Sequence, residues 1–530
     1  MQWKRSSKSS AVRFLFVFLF VCRLAAAVAP YEIATPFVPA NQIDEFVFGR
    51  LKQQNLRPAN LCSDEVFVRR VYLDVIGTLP TALEAENFIL DSNPNKRGAL
   101  IERLLARDEF ADYWAMKWSD LLRVKAEFPI NLWPNAAQAY YGWLRDAIRG
   151  NLPYDRFARD LLTASGSNFE NPPVNFYRAL QNKTPSGIAR AVALNFMGTR
   201  AENWPSNDLE NLAVFFANTG YKSTAEWKEE IVFFNPGSTN AGALNGSPRT
   251  AVFPDGTSVV LAPDRDPRAA FADWLITPKN PWFARNLVNR AWSWLLGRGI
   301  IQEPDDIRAN NPPSNPELLA FLENELVASN YDIKHIFRLI LNSKTYQLSA
   351  IPQDAGAEAA ANFAYYPVRR LDAEVLIDAI DQLTGATESY SSAIPEPYTF
   401  IPDNLRSIAL PDGSISSSFL DMFGRSPRDT GRESERNNHI SAAQKLWLLN
   451  SSQVQRKIEQ SRMVDFQSQK DKTPPQIVSA LYLGILSRFP TPGESKIAQA
   501  YFQKNNVPRR QAVVDLAWAL MNTSEFLYRH

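Results

Sequence analysis

Apolar residues recur at helical spacing along most of this chain, and this periodicity constrains the fold more than any other feature. In the first such segment, Ile43, Phe46, Val47 and Leu51 lie on one face of a helix. Similar segments follow at about 64–75, 82–90, 97–106, 113–122, 268–275, 284–296, 316–329, 333–341 and from 441 onward. Because strands would need a two-residue alternation instead, we predict a mainly α-helical protein.

The middle of the chain, residues 236–262, has a different composition. Small and turn-forming residues dominate, and two short apolar runs flank Pro254-Asp255-Gly256, which predicts a β-hairpin. We therefore predict two helical domains, 40–235 and 263–530, joined by a linker that contains this short hairpin. A Ser/Pro-rich interval at 387–418 is typical of a long surface loop.

One helical element occurs twice. Val71-Tyr72-Leu73, followed by Pro80-Thr81-x-x-Glu84, recurs as Leu481-Tyr482-Leu483, followed by Pro490-Thr491-x-x-Glu494, with the same spacing. The ending at 104–110 is also similar to 520–526 and, more loosely, to 340–346. Thr-x-x-Glu is a capping box, so each copy predicts a helix that feeds a capped turn. We interpret this internal pseudo-repeat as a packing unit; chance similarity of short capping motifs is the alternative.

Soft metal ligands are scarce. The 530 residues contain two cysteines, Cys22 and Cys62, and three histidines, His335, His439 and His530. Thiolate and imidazole are the usual ligands of zinc, iron–sulfur and haem centres, and the usual nucleophile and base of acyl transfer. We therefore predict no metal site and no cofactor, and a core that is stable without an intramolecular disulfide.

Residues 1–27 have the pattern of a secretory signal peptide. A basic start precedes the apolar run 14–22, and the three alanines at 25–27 provide small residues for cleavage. The run is shorter than the roughly 20 residues that span a bilayer. We predict a secreted, periplasmic or cell-surface protein with no transmembrane span after signal removal; retention of the segment as an anchor is the alternative.

Bulk charge gives no attraction to nucleic acid or anionic lipid. Lys and Arg number 57 and Asp and Glu number 56. No nucleic-acid partner is therefore predicted. The chain has 13 tryptophans, for which core packing is the first interpretation and a glycan-stacking surface the second.

Several phrases of the sequence are typical of one pair of domains. They include residues 67–81 (FVRRVYLDVIGTLPT), 113–118 (YWAMKW), 280–285 (NPWFAR), 311–314 (NPPS) and 369–374 (RRLDAE). In this combination the chain resembles secreted proteins of planctomycetes and verrucomicrobia that pair a cytochrome-c-like with a planctomycete-specific domain. The resemblance covers roughly residues 40–235 and 263–530, and it implies two domains whose function is largely undetermined.

The chain departs from that family at its cysteines. Family members carry Cys-x-x-Cys-His after a Phe-Leu-Gly-like segment, but residues 196–204 (FMGTRAENW) contain neither cysteine nor histidine. A second family motif, Cys-Glu-Cys-Glu-Arg, corresponds here to residues 432–436 (RESER). Covalent haem attachment through Cys-x-x-Cys-His is therefore excluded, and the cytochrome label does not transfer.

Two charged segments are candidate binding sites. The first contains Arg369, Arg370, Asp372 and Glu374. We expect Arg370 and Glu374 to pair at i, i+4 on a helix face. An arginine fork suits a ligand carboxylate or sulfate, while an internal pair that locks two helices is the alternative.

The second segment contains Arg432, Glu433, Glu435, Arg436 and His439. A histidine beside carboxylates fits a general base or a metal ligand, and a solvated salt-bridge network is the alternative.

A third group of charges, Glu303, Asp305 and Asp306, contains carboxylates of the kind used in glycoside hydrolysis. Adjacent residues of a strand point to opposite faces, which disfavours catalysis there, and a turn would explain the carboxylates by local capping.

These observations favour a non-catalytic binding or assembly protein. Its ligand groove would lie between the domains, lined by Arg369, Arg370 and residues 432–439, and its partner would be an envelope protein or an acidic polysaccharide. The alternatives are a carbohydrate-active hydrolase with paired carboxylates and a redox protein whose non-covalent cofactor is bound by His335 or His439.

Overall fold

The computed structural model describes residues 31–33, 36–503 and 507–530. The predicted signal segment and Cys22 lie outside these ranges, whereas Cys62 is a free, buried thiol. Among the described residues, none of the helices combines the length and apolarity that crossing a membrane requires.

The fold is mainly α, as the periodicity predicts. The first half contains α1 Gln42–Gln53, α2 Asp64–Val75, α3 Ala82–Leu90, α4 Lys96–Leu105, α5 Asp108–Leu121, α6 Pro134–Arg149, α7 Tyr154–Leu162, α8 Asn175–Arg178, α9 Pro185–Val192 and α10 Ser206–Val214. The middle contains α11 Pro267–Leu275, α12 Phe283–Leu296, α13 Pro316–Ala328, α14 Ile333–Asn342, α15 Ala357–Ala361 and α16 Ala373–Thr384. The last part contains α17 Ser418–Met422, α18 Ala442–Asn450, α19 Ser452–Glu459, α20 Arg462–Gln467, α21 Pro474–Leu486, α22 Pro492–Phe502, α23 Arg509–Met521 and α24 Ser524–Leu527.

The strands are short and antiparallel. They are β1 Glu32–Ile33, β2 Leu61–Cys62, β3 Gly166–Ser167, β4 Thr219–Ser223, β5 Glu230–Phe234, β6 Arg249–Val252, β7 Ser258–Leu261, β8 Arg369–Arg370 and β9 Tyr528–Arg529. The β6–β7 hairpin confirms the prediction for the linker. The three-stranded sheet β3-β5-β4 was not predicted; β5 is the run Glu-Ile-Val-Phe-Phe, whose β-branched and aromatic side chains favour a strand.

Local capping fixes several helix starts. Ser63 precedes α2, and its side chain accepts a hydrogen bond from the Val66 N–H. Thr81 and Thr491 form capping boxes with Glu84 and Glu494, as the repeated motif predicts.

The two copies of the repeated element share an ion network as well as a cap. In the first copy, Arg107 bridges Glu84 (3.0 Å) and Glu109 (2.5 Å). In the second, Arg488 bridges Glu494 (2.8 Å) and Glu525 (2.6 Å). The two arginines occupy different positions of the element. In both copies, however, an arginine that bridges two glutamates connects the capped turn to the next helix.

Helix α2 lies at the centre of the fold. All of its residues from Val66 to Val75 are buried. Arg69 donates to the carbonyls of Ile485 (2.9 Å) and Phe526 (2.9 Å), at the far end of the chain. A single hydrophobic core therefore includes residues of both halves of the sequence.

Candidate functional site

An open cleft of about 560 Å³ lies where the two halves meet. Six of the nine residues singled out from the sequence line it: Arg369, Arg370, Asp372, Glu433, Arg436 and His439. The structure adds Lys117, Trp294, Val368, Ile440, Tyr528 and Arg529 to the same walls. Its volume is within the roughly 300–1,000 Å³ of ligand-binding clefts.

Asp372 lines the cleft and is 1% exposed. Its Oδ2 accepts from Lys117 Nζ and Arg529 Nη2, both at 2.9 Å, and its Oδ1 accepts from Asn438 Nδ2 at 2.8 Å. Burial opposes ionisation, but Lys117, Arg529 and Arg436 outweigh it and hold the pKa of Asp372 well below its ordinary value. This carboxylate therefore stays charged and fixes cations from distant parts of the chain.

Arg436 joins two buried carboxylates behind the cleft wall. It contacts Glu374 Oε2 at 2.6 Å through Nη1 and Asp120 Oδ2 at 2.6 Å through Nη2. Arg425 lies 3.6 Å from Glu374, and Arg428 lies 3.0 Å from Asp120. Burial raises the pKa of Glu374, but Arg436 and Arg425 together outweigh burial, so this pKa lies below its ordinary value.

Ion pairs link these residues into one charged network. Its members, connected by contacts of 4 Å or less, are Lys117, Arg369, Arg425, Arg428, Arg436, Arg529, Asp74, Asp120, Asp372 and Glu374. The contact of 3.9 Å between Arg436 and Asp372 joins its two parts. Six cations face four carboxylates, so the network has a net charge of +2. Charges inside a protein are screened less than surface charges, so this excess acts on the adjoining cleft.

Arg369 closes the end of helix α12. Its guanidinium donates to the carbonyls of Trp294 (2.9 Å) and Leu295 (2.7 Å) in the last turn. A cation at this position also complements the helix dipole. Gly297 ends the helix with φ +70°, and a Cβ there would collide with the Arg369 side chain, so the cap needs a glycine.

Arg370 does not pair with Glu374, so the helical i, i+4 prediction is wrong. Arg370 belongs to strand β8, and α16 begins only after Asp372, whose extended backbone precedes the helix. The Arg370 guanidinium instead donates to the carbonyls of Phe423 (2.5 Å) and Asn437 (2.8 Å). Burial lowers the pKa of Arg370.

Glu433 is a second carboxylate of the cleft. Its Oε1 accepts from Trp294 Nε1 at 2.7 Å and lies 3.3 Å from Arg290 Nη1. Burial raises the pKa of Glu433 against the effect of Arg290, and Asp305 adds to the rise. Asp305 itself lies in a turn and is buried against Arg290 at 2.5 Å.

The remaining predicted residues are not members of the charged network. His439 is exposed in the cleft. Arg432 forms a surface pair with Glu202 at 2.5 Å, and Glu435 accepts from the Thr430 N–H at 2.7 Å within a turn.

The other two histidines do not line the cleft. His335 contacts Glu325 at 2.9 Å. Burial lowers the pKa of His530 to about 4.

Sequence reasoning missed Lys117, Asp120, Asp74 and Arg529. A signal was present in α2, where Asp74 and two arginines interrupt a helix whose other inward positions are apolar. Charged residues that a helix buries almost always have partners, so such interruptions identify a network without naming its other members.

The two halves of the chain each match a family model. Residues 42–218 match PSCyt2, a protein of unknown function (DUF1549), and residues 267–502 match PSD1, a protein of unknown function (DUF1553). The chain belongs to the proteins that pair these two domains. No curated protein and no solved structure matches it.

The cleft is shared by the paired domains. Lys117 belongs to the PSCyt2 match, the segment around Arg369 and that around Arg436 belong to the PSD1 match, and Arg529 follows it. The walls of the cleft therefore include residues of both matched regions.

Proposed function

We propose that this protein acts outside the cytoplasm as a binding component and holds an acidic polysaccharide in the cleft between its PSCyt2 and PSD1 domains. The observation that carries the proposal is Arg370. Its guanidinium is bonded to backbone carbonyls, and no carboxylate of the described residues forms an ion pair with it. A cation in a cleft wall that forms no direct ion pair favours the binding of an anion in that cleft.

The surrounding charges act in the same direction. The charged network next to Arg370 has two more cations than carboxylates. Adding Arg370 together with Arg290, Asp305 and Glu433 leaves the excess at two. The cleft therefore favours a ligand that carries carboxylate or sulfate groups.

The shape and apolar lining of the cleft fit a sugar unit better than a small inorganic anion. Trp294, Tyr528, Ile440 and Val368 line it beside the cations. A pyranose ring has apolar C–H faces that pack on such side chains, while its carboxylate or sulfate meets the arginines.

Val368 gives a test that leaves the network intact, because its side chain lines the cleft and is 54% exposed. We expect the purified chain to bind polygalacturonate in low salt, and Val368→Glu to weaken binding about 3- to 10-fold by placing a negative charge near the ligand. Val368→Gln, matched in size, should bind like the unchanged protein. Equal affinity of the two variants, or no binding of the unchanged protein, would contradict the proposal.

A hydrolase is the second candidate, because Asp372 and Glu433 share the cleft and their pKa values are shifted in opposite directions. Against it, both oxygens of Asp372 already accept hydrogen bonds from protein donors. The same polygalacturonate incubations should release no new reducing ends; release of such ends would favour the hydrolase.

A further inference from the structure

Three aromatic rings contact one another on the surface, outside the cleft. Trp133 contacts Trp227 with ring centroids 4.8 Å apart and Tyr398 at 5.5 Å, and Trp227 contacts Tyr398 at 5.2 Å. Each ring comes from a separate connection: the turn before α6, the β4–β5 turn and the loop at 387–418. We call these three residues the aromatic triad.

The triad remains open to solvent although its rings touch. Trp227 is 55% exposed and Tyr398 is 44% exposed. A large aromatic ring normally contributes its area to a core, as Trp114 and Trp118 do in α5. Three loops that bring two exposed rings and the partly buried ring of Trp133 together therefore leave apolar area available for a partner.

The backbone of Trp133 supports the same interpretation. Its φ of 74° and ψ of 148° place it in a region that is occupied almost only by glycine. The Trp133 N–H donates to the Ala126 carbonyl at 3.1 Å, and the Ala137 N–H donates to the Trp133 carbonyl at 3.0 Å. The backbone of Trp133 is therefore held in an unfavourable conformation, and in this conformation its ring contacts the other two rings of the triad.

Polar groups around the triad select the kind of partner. Lys228 Nζ lies 4.7 Å from the centroid of Trp133 and 5.5 Å from that of Trp227. No described residue accepts a hydrogen bond from Lys228 Nζ or from either indole N–H. The hydrocarbon chain of a lipid would bury these donors without acceptors, which costs free energy.

We propose that the aromatic triad is a second binding site, for β-linked pyranose chains. Such a sugar stacks its C–H faces on the aromatic rings and offers hydroxyl oxygens to the indole and ammonium donors. The ring planes are inclined at 52–77° to each other, so the site is twisted. It therefore suits a single soluble chain and not the flat face of a crystalline polysaccharide.

The test uses the purified full chain and cellohexaose, a neutral β-linked probe that has no charge for the cleft to recognise. Isothermal titration calorimetry should show that the double variant Trp227→Ala/Tyr398→Ala binds at least about tenfold more weakly than the unchanged protein, because two stacking contacts are lost. Phe466→Ala, which removes another ring that is 51% exposed, is the matched control and should not change the affinity.

Three results would overturn the proposal. The first is that the unchanged protein does not bind cellohexaose, and the second is that the double variant and the Phe466 control bind equally. The third is that the unchanged protein sediments with microcrystalline cellulose or with phosphatidylcholine vesicles while showing no affinity for the soluble probe. Circular dichroism of each variant checks that the fold is intact, as expected for substitutions of exposed side chains.

Discussion

Replacing Arg436 with methionine removes a cation that two buried carboxylates share. The side chain is 8% exposed and contacts Glu374 and Asp120, whose side chains are 1% and 10% exposed. In the variant, Glu374 keeps only Arg425 at 3.6 Å, and Asp120 keeps Arg428 at 3.0 Å. Methionine fills much of the same volume, so the substitution tests charge more than packing.

The expected cost follows from the stranded charges. Removing one partner of a buried ion pair lowers the free energy of unfolding by about 3–5 kcal/mol, because the remaining carboxylate is buried without a sufficient counter-charge. Arg432 provides the matched control four residues earlier. Its pair with Glu202 has side chains that are 42% and 39% exposed, so Arg432→Met should cost only about 0–1 kcal/mol.

Urea unfolding followed by circular dichroism measures the difference, provided that the slope m is the same for each variant. Adding Glu374→Gln to Arg436→Met should recover part of the loss, since it removes one of the two stranded charges. The same glutamine in the unchanged background should be destabilising, and the double-mutant cycle then gives the coupling energy of the pair.

Equal destabilisation by Arg436→Met and Arg432→Met would refute this reasoning, because burial would then not determine the cost. A loss below about 1 kcal/mol for Arg436→Met would refute it as well. Either result would mean that Arg425 and Arg428, or water that enters the site, compensate the carboxylates fully.

Two further predictions concern stability. The pKa of Asp372 lies well below its ordinary value near 3.8, so its contribution to stability is complete above that pH and is lost as the pH falls below it. Asp372→Asn should therefore lower stability at pH 7 and flatten the further decline of stability below about pH 4 in acid titrations. Thr491→Ala should cost about 1 kcal/mol by removing the capping box, whereas Thr491→Ser should cost little because it keeps the hydroxyl; equal losses in thermal unfolding would contradict the role of the cap.

Helices were predictable because their causes are local. The apolar spacing of residues 43–51 and the caps at Ser63, Thr81 and Thr491 depend on residues a few positions apart, and the structure forms helices there. The pairing of Arg370 with Glu374 failed for a related reason. Helical spacing assumes a continuous helix, but β8 pairs with β9 from the end of the chain, and this long-range contact holds Arg370 in an extended conformation.

The candidate site could be predicted only in part. Charge clustering identified the segments around Arg370 and Arg436, which do line one cleft. Their partners are remote in sequence: Lys117 and Arg529 are 255 and 157 positions from Asp372. A spacing pattern carries no information about such contacts, so the sequence did not show which residue neutralises each charge.

By itself, the sequence determined the helical class, the linker hairpin and the resemblance to the paired domains, because periodicity, turn residues and short motifs act over neighbouring positions. Only the tertiary structure decided which arginine forms an ion pair with a carboxylate and which, like Arg370, forms none with the described residues. It also decided that Trp133, Trp227 and Tyr398 meet on the surface. Ion pairing and ring contact depend on distances of a few ångströms between groups that chain folding alone brings together.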